Sequence, residues 1–151
     1  MLTKNERDLK MRTSEEMLQF AKKYQKAEFK QYRLAFDEIA KGLHEDEYAV
    51  FSMVGEDYII NESIGMNFPA LAVTNSRVLI GGETIRGRLL TRYVMDAYEL
   101  SEIHLVKVVN RKIVLETSNG EVKIEGKNLE SVAEKLKEVL SNCLLYTSDA
   151  A

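Results

Sequence analysis

Hydrophobic positions recur at two periods along the chain, and the change falls near Tyr48. Before it the spacing is helical. Thr13-Ser14-Glu15-Glu16 has the form of a capping box, with Thr13 as N-cap and Glu16 at N3, each side chain serving a free amide of the other. Met17, Phe20, Ala21, Tyr24 and Ala27 follow at helical spacing, and Leu34, Ala35, Ile39 and Leu43 continue it. The pattern predicts helix as far as Gly42 to His44, and leaves open whether this is one bent helix or two. The stretch from Met1 to Arg12 is polar and reads as a frayed helix.

After Tyr48 the pattern becomes that of strands. Tyr48 to Val54 is rich in β-formers. A loop around Gly55-Glu56-Asp57 and Asn61 to Gly65 follows, interrupted by a short candidate strand at Tyr58 to Ile60. Phe68 to Thr74 is the second strand, with Pro69 near its start, where a missing amide is tolerated. Asn75-Ser76 turns the chain into Arg77 to Ile80, which Gly81-Gly82 is expected to end. Arg92 to Ala97 is the fourth strand. Ile103 to Val109 is the fifth, with Ile103, Leu105, Lys107 and Val109 on one face and His104, Val106 and Val108 on the other. Both faces are largely apolar, which predicts a well-covered place in the sheet. Asn110-Arg111 leads into Lys112 to Thr117. Asn119-Gly120 predicts a type I′ hairpin turn into Glu121 to Glu125, with Val122 and Ile124 inward.

A last helix is expected from Asn128 as N-cap. Leu129, Val132, Ala133, Leu136, Val139 and Leu140 form the cleanest amphipathic stripe in the chain. The order is then helix, about seven short antiparallel strands, helix. So many hairpin-linked strands must manage their edges, which a strongly bent or closed sheet does. The terminal stripe must be buried, and an open end of a small barrel is a natural place.

That order resembles the pleckstrin-homology superfold. Leu71-Ala72-Val73-Thr74-Asn75-Ser76-Arg77-Val78-Leu79-Ile80 resembles the strand–turn–strand hallmark of bacterial pleckstrin-homology-like domains, and GRAM domains carry a similar hairpin. The likeness covers roughly Leu43 to Leu140, and the helical lead-in is similar to that of the YokE-like group. It implies an α+β, mostly β fold: a seven-stranded, strongly bent antiparallel barrel or sandwich, capped by a C-terminal helix and preceded by a helical extension. The implied division is 1–43 for the extension and 44–142 for the domain. The motif also has its own physics. Thr74 and Asn75 can bond backbone two residues on and close the turn, while the Arg77 stem covers apolar surface and its fork bonds carbonyls or an acid. A structural role for these three outweighs a ligand role.

Composition adds bounds. The 151 residues suit one domain, with 45% hydrophobic and 30% charged residues, as in globular proteins. A net charge of -3 argues against a strongly basic nucleic-acid binder. The single Cys, Cys143, allows no internal disulfide and no cysteine metal site. It opens the segment Cys143-Leu144-Leu145-Tyr146-Thr147-Ser148-Asp149-Ala150-Ala151, which resembles the in-frame translation of a transposon-end sequencing adapter. Residues 143–151 are therefore expected to be a non-native tail. No stretch has the length and apolarity of a membrane span, and the N-terminus lacks a signal peptide, so a cytoplasmic location is expected.

The candidate chemistry is sparse. Phosphoinositide-binding pleckstrin-homology domains use Lys and Arg in the first strand–loop–strand. Residues 48–74 carry Glu56, Asp57 and Glu62 and no base, so phosphoinositide recognition is not expected. The basic cluster Arg86, Arg88 and Arg92 is a candidate contact for an anion, a membrane surface or an acidic partner, with a solvated loop as the plainer alternative. His44 and His104 lack partners at metal-ligand spacing. No nucleophile elbow, phosphate-binding glycine loop or Cys–His pairing occurs, and no cofactor is implied. The aromatics Phe20, Tyr24, Phe29, Tyr32 and Phe36 suit core packing better than a partner face. The expected function is a non-catalytic interaction module that binds a protein or peptide, or assembles with itself as a homo-oligomer. Anion or membrane-surface binding through Arg86, Arg88 and Arg92 is the alternative.

Overall fold

A computed structural model of the protein describes residues 9–84 and 91–149. It is an α+β chain built around an antiparallel sheet. Helix α1 (Ser14–Tyr24) opens with the expected capping box: Thr13 Oγ1 accepts from the Glu16 amide at 3.1 Å, and Glu16 accepts from the Thr13 amide at 3.1 Å. The helical region is two helices. A four-residue extended link after Tyr24 leads into a 3₁₀ turn, Phe29–Tyr32, and then α2, Arg33–Gly42. Residues 9–12 are not helical. Met11 exchanges two backbone hydrogen bonds with Ala49, at 2.7 and 2.8 Å, so this segment lies along a strand edge.

The strands are β1 (Ala49–Val54), β2 (Asp57–Ile60), β3 (Ser63–Thr74), β4 (Arg77–Thr84), β5 (Tyr93–Glu99), β6 (Ile103–Val109), β7 (Lys112–Thr117) and β8 (Gly120–Glu125). A short 3₁₀ turn, Leu100–Glu102, links β5 to β6, and α3 spans Glu130–Asp149. The sheet order is β5-β4-β3-β2-β8-β7-β6, with β1 also paired to β3. It has eight strands rather than seven, and it is an open path, because β5 and β6 do not pair. The extra strand arises at Gly55-Glu56. There, β1 leaves β3 at Val54↔Ala70 and β2 rejoins it at Asp57↔Asn67.

Several local expectations are corrected by tertiary context. Strand β3 begins at Ser63, not Phe68, and Pro69 lies inside it at a bulge. The glycines at 81 and 82 do not end β4. A Cβ on Gly81 would lie 2.7 Å from the Ala35 carbonyl of α2, so this glycine lets a helix cross close to the strand. The β7–β8 loop is Ser118-Asn119, since Thr117 pairs with Gly120. Only Gly120 of the expected Asn119-Gly120 pair has positive φ, so the predicted type I′ turn is absent. Thr117 Oγ1 closes this loop by donating to the Gly120 carbonyl at 2.7 Å. Strand β6 is an edge strand and half exposed. A register shift between Ile103 and Leu105 turns Ile103 into the core and leaves Leu105 and Val109 outside. Helix α3 starts one residue late, with Leu129 rather than Asn128 in the cap position: Asn128 takes a left-handed φ of 56°, and the Leu129 carbonyl accepts from Ala133.

One continuous core joins all of this. Helix α1 lies on β1, with the Phe20 and Phe51 rings edge to face at 5.6 Å. Helix α2 lies on β4 and β5. The whole α3 stripe, from Leu129 to Leu140, is buried.

Candidate functional site

The hairpin motif is the centre of a dense hydrogen-bond network. The Thr74 hydroxyl accepts from the Arg77 amide at 2.8 Å and the Ser76 amide at 3.1 Å, and donates to Glu47 Oε2 at 2.6 Å. Asn75 accepts from the Tyr48 amide at 3.1 Å. Arg77 meets both an acid and a carbonyl: its Nε donates to Glu47 Oε2 and one terminal nitrogen donates to the Gly42 carbonyl, each at 2.9 Å, while that nitrogen also bonds Glu47 Oε1. The motif thus ties the end of α2 and the entry to β1 onto the β3–β4 turn.

Glu47 has no place in the sequence-level candidates, yet it is 2% exposed at the centre of this network. Burial works to raise its carboxyl. Hydrogen bonds from Arg77, Thr74 and the His44 amide outweigh that and hold it at about 2. The available signal was Arg77 itself, because an Arg at a tight apolar hairpin needs a carboxylate, and Glu47 stands two residues before the strand that pairs with Thr74.

The basic cluster is split. Arg86 and Arg88 lie outside the described residues. Arg92 is exposed just before β5, and its carbonyl accepts from the Thr84 amide at 2.7 Å. His44 is exposed beside Glu47 at 3.8 Å, and His104 Nε2 is 3.0 Å from Ser118 Oγ. Among the described residues no three His, Cys, Asp or Glu side chains converge as a metal site, and no helix is long and apolar enough to cross a membrane. Phe20, Phe29, Tyr32 and Phe36 are buried and Tyr24 is half-buried.

Two features of the described surface stand out. The first is the edge of β6. Among the described residues only β7 pairs with this strand, and Leu105 and Val109 are each 47% exposed on either side of Lys107.

The second is a groove of about 660 Å³. Its walls are the link from α1 to the 3₁₀ turn, the bend between β1 and β2, the bulge of β3, and the loop into α3. Gln25 holds one wall to the sheet. Its amide donates to the Val54 carbonyl at 2.7 Å and accepts from the Val54 N–H at 2.8 Å, as a neighbouring strand would. Tyr32 donates to the Gly55 carbonyl at 2.6 Å. Burial, with the charges of Glu56 and Asp57, pushes the Tyr32 hydroxyl up to about 12. Phe68 has φ 48°, a left-handed conformation costly for a bulky residue, fixed by its amide bonding the Glu56 carbonyl at 2.8 Å. The bulge turns the Phe68 ring onto the Tyr32 edge at 6.1 Å and leaves it 37% exposed. Burial, then Glu125 and Glu56, raise the Asp57 carboxyl.

The chain matches no protein-family model, and comparison with curated proteins finds no match.

Proposed function

We propose that the chain is a non-catalytic interaction module of the pleckstrin-homology-like kind, which adds an extended segment, of a partner protein or of a second copy, to its sheet. The carrying observation is the β6 edge: a ladder unpaired among the described residues and flanked by exposed Leu105 and Val109, the arrangement on which strand addition depends. The alignment of β1 and β2 along β3 supports the fold assignment, since together they count as one long bent strand and bring the total to seven. The terminal helix, buried along its stripe, supports it too.

Sedimentation velocity of the full chain over a wide concentration range tests the reading. Association that grows with concentration, and is lost in the double variant Leu105→Lys, Val109→Lys while circular dichroism is unchanged, is the expected result. A wild-type chain that stays monomeric and protects no β6 amide from hydrogen exchange when mixed with extended peptides would overturn it.

A further inference from the structure

We propose that the groove between the α1–3₁₀ link and the start of α3 receives a protein segment carrying an Arg or Lys side chain next to an apolar one. The inference does not rest on strand addition at β6.

Size comes first. About 660 Å³ lies within the roughly 300–1,000 Å³ range of ligand sites, and is enough for a few residues of a peptide. The walls are held in place beforehand. Gln25 pins the link to β1, Tyr32 is bonded to Gly55, and Phe68 is locked by the bulge. A partner would therefore meet ordered side chains rather than having to order them. The aromatic edge of Tyr32 and Phe68 supplies apolar surface, with Phe68 still open to solvent.

Charge then selects the occupant. The β1–β2 bend places Glu56 and Asp57, both half-buried, in the groove. Among the described residues Glu56 has a cation only at 3.8 Å, from Arg111. Glu125, which pairs in register with Asp57, has its own in Lys112 at 3.7 Å. Asp57 has no ion pair or hydrogen bond to its carboxylate among the described residues, and two like charges beside it. The lysines of the groove, Lys26 and Lys127, are exposed at its rim and pair with neither acid. A guanidinium or ammonium reaching the bend would relieve that repulsion and lie beside aromatic rings that favour cations.

A positional-scanning library of short, end-blocked peptides, presented to the full chain, gives the test. Cationic residues should be enriched next to apolar ones, and Asp57→Asn should remove that enrichment while the thermal unfolding midpoint stays close to wild type. Remaking the best peptide with a neutral isostere of its cation should weaken binding by about tenfold or more. Amide shifts should centre on Gly55, Glu56 and Phe68. Enrichment of acidic or phosphorylated sequences, no enrichment at all, or a cationic preference indifferent to Asp57→Asn would each overturn the proposal.

Discussion

The two halves of the sheet solve the same problem differently. In β3 and β4 the segments Ala70–Thr74 and Arg77–Gly82 are buried at every position. Both faces are covered, one by the interior and the other by α2, with α1 beside it on β1. In β7 and β8 the inner face is apolar and the outer face is mostly charged, with Val114 as its one buried apolar residue. Val122 and Ile124 point inward, while the outer face carries Lys112 opposite Glu125 at 3.7 Å. Glu116 and Glu121 also face one another there, and Lys107 lies between them at 3.2 and 3.9 Å. The first half depends on helices from elsewhere in the chain. The second is a self-sufficient meander on one side of the core. The helical extension is thus a layer of the fold rather than an appendage to it.

The contrast can be broken most forcefully at the network that locks helix to sheet. Arg77→Ala leaves Glu47 buried without its cation, and should destabilise the protein by about 3–5 kcal/mol in urea unfolding. A loss below about 1 kcal/mol would mean that the network is not holding the layer.

Acid probes the same point with no mutation. Glu47 lies at about 2 in the folded chain, below its ordinary 4.5. Its contribution is therefore fully present above about pH 4.5 and is lost as pH falls toward 2. From the size of the shift this amounts to about 3 kcal/mol. Unfolding free energy followed against pH should fall through that window in the wild type, and a Glu47→Gln variant should lack this component of the slope.

The outer face of the other half should barely respond. Lys107→Ala removes an exposed, screened pairing, and should change stability by less than about 1 kcal/mol by the same measurement. A large loss there would erase the distinction between the halves.

The same contrast explains what could be read from the chain. The capping box at Thr13, the stripe of α3 and the inward Val122 and Ile124 are local patterns, and each appears where its period places it. What escaped depends on contacts between distant segments. Gly81-Gly82 resembles a strand end until α2 is seen crossing it. Ile103 to Val109 resembles a covered strand, because its two apolar faces do not reveal that it ends the sheet among the described residues. Glu47 resembles one more acid of a polar helix end, since only the fold brings it to Arg77. Of the candidate sites, Thr74, Asn75 and Arg77 were legible because a turn motif is local. The groove was not, because it is assembled from four separated segments and turns on one strained residue, Phe68.

The hydroxyls of Tyr58 and Tyr98 meet inside the molecule, although their strands, β2 and β5, are three places apart in the sheet. Laid flat, those strands would be about 14 Å from each other. Curvature brings them together, and a pair of phenols spans what remains. The sheet is therefore held curled by a clasp of side chains rather than by a closing ladder. The clasp ties β2 to β5 across the inside of the bend with no backbone pairing between them, while β5 and β6 are joined at one end by the three-residue turn Leu100–Glu102.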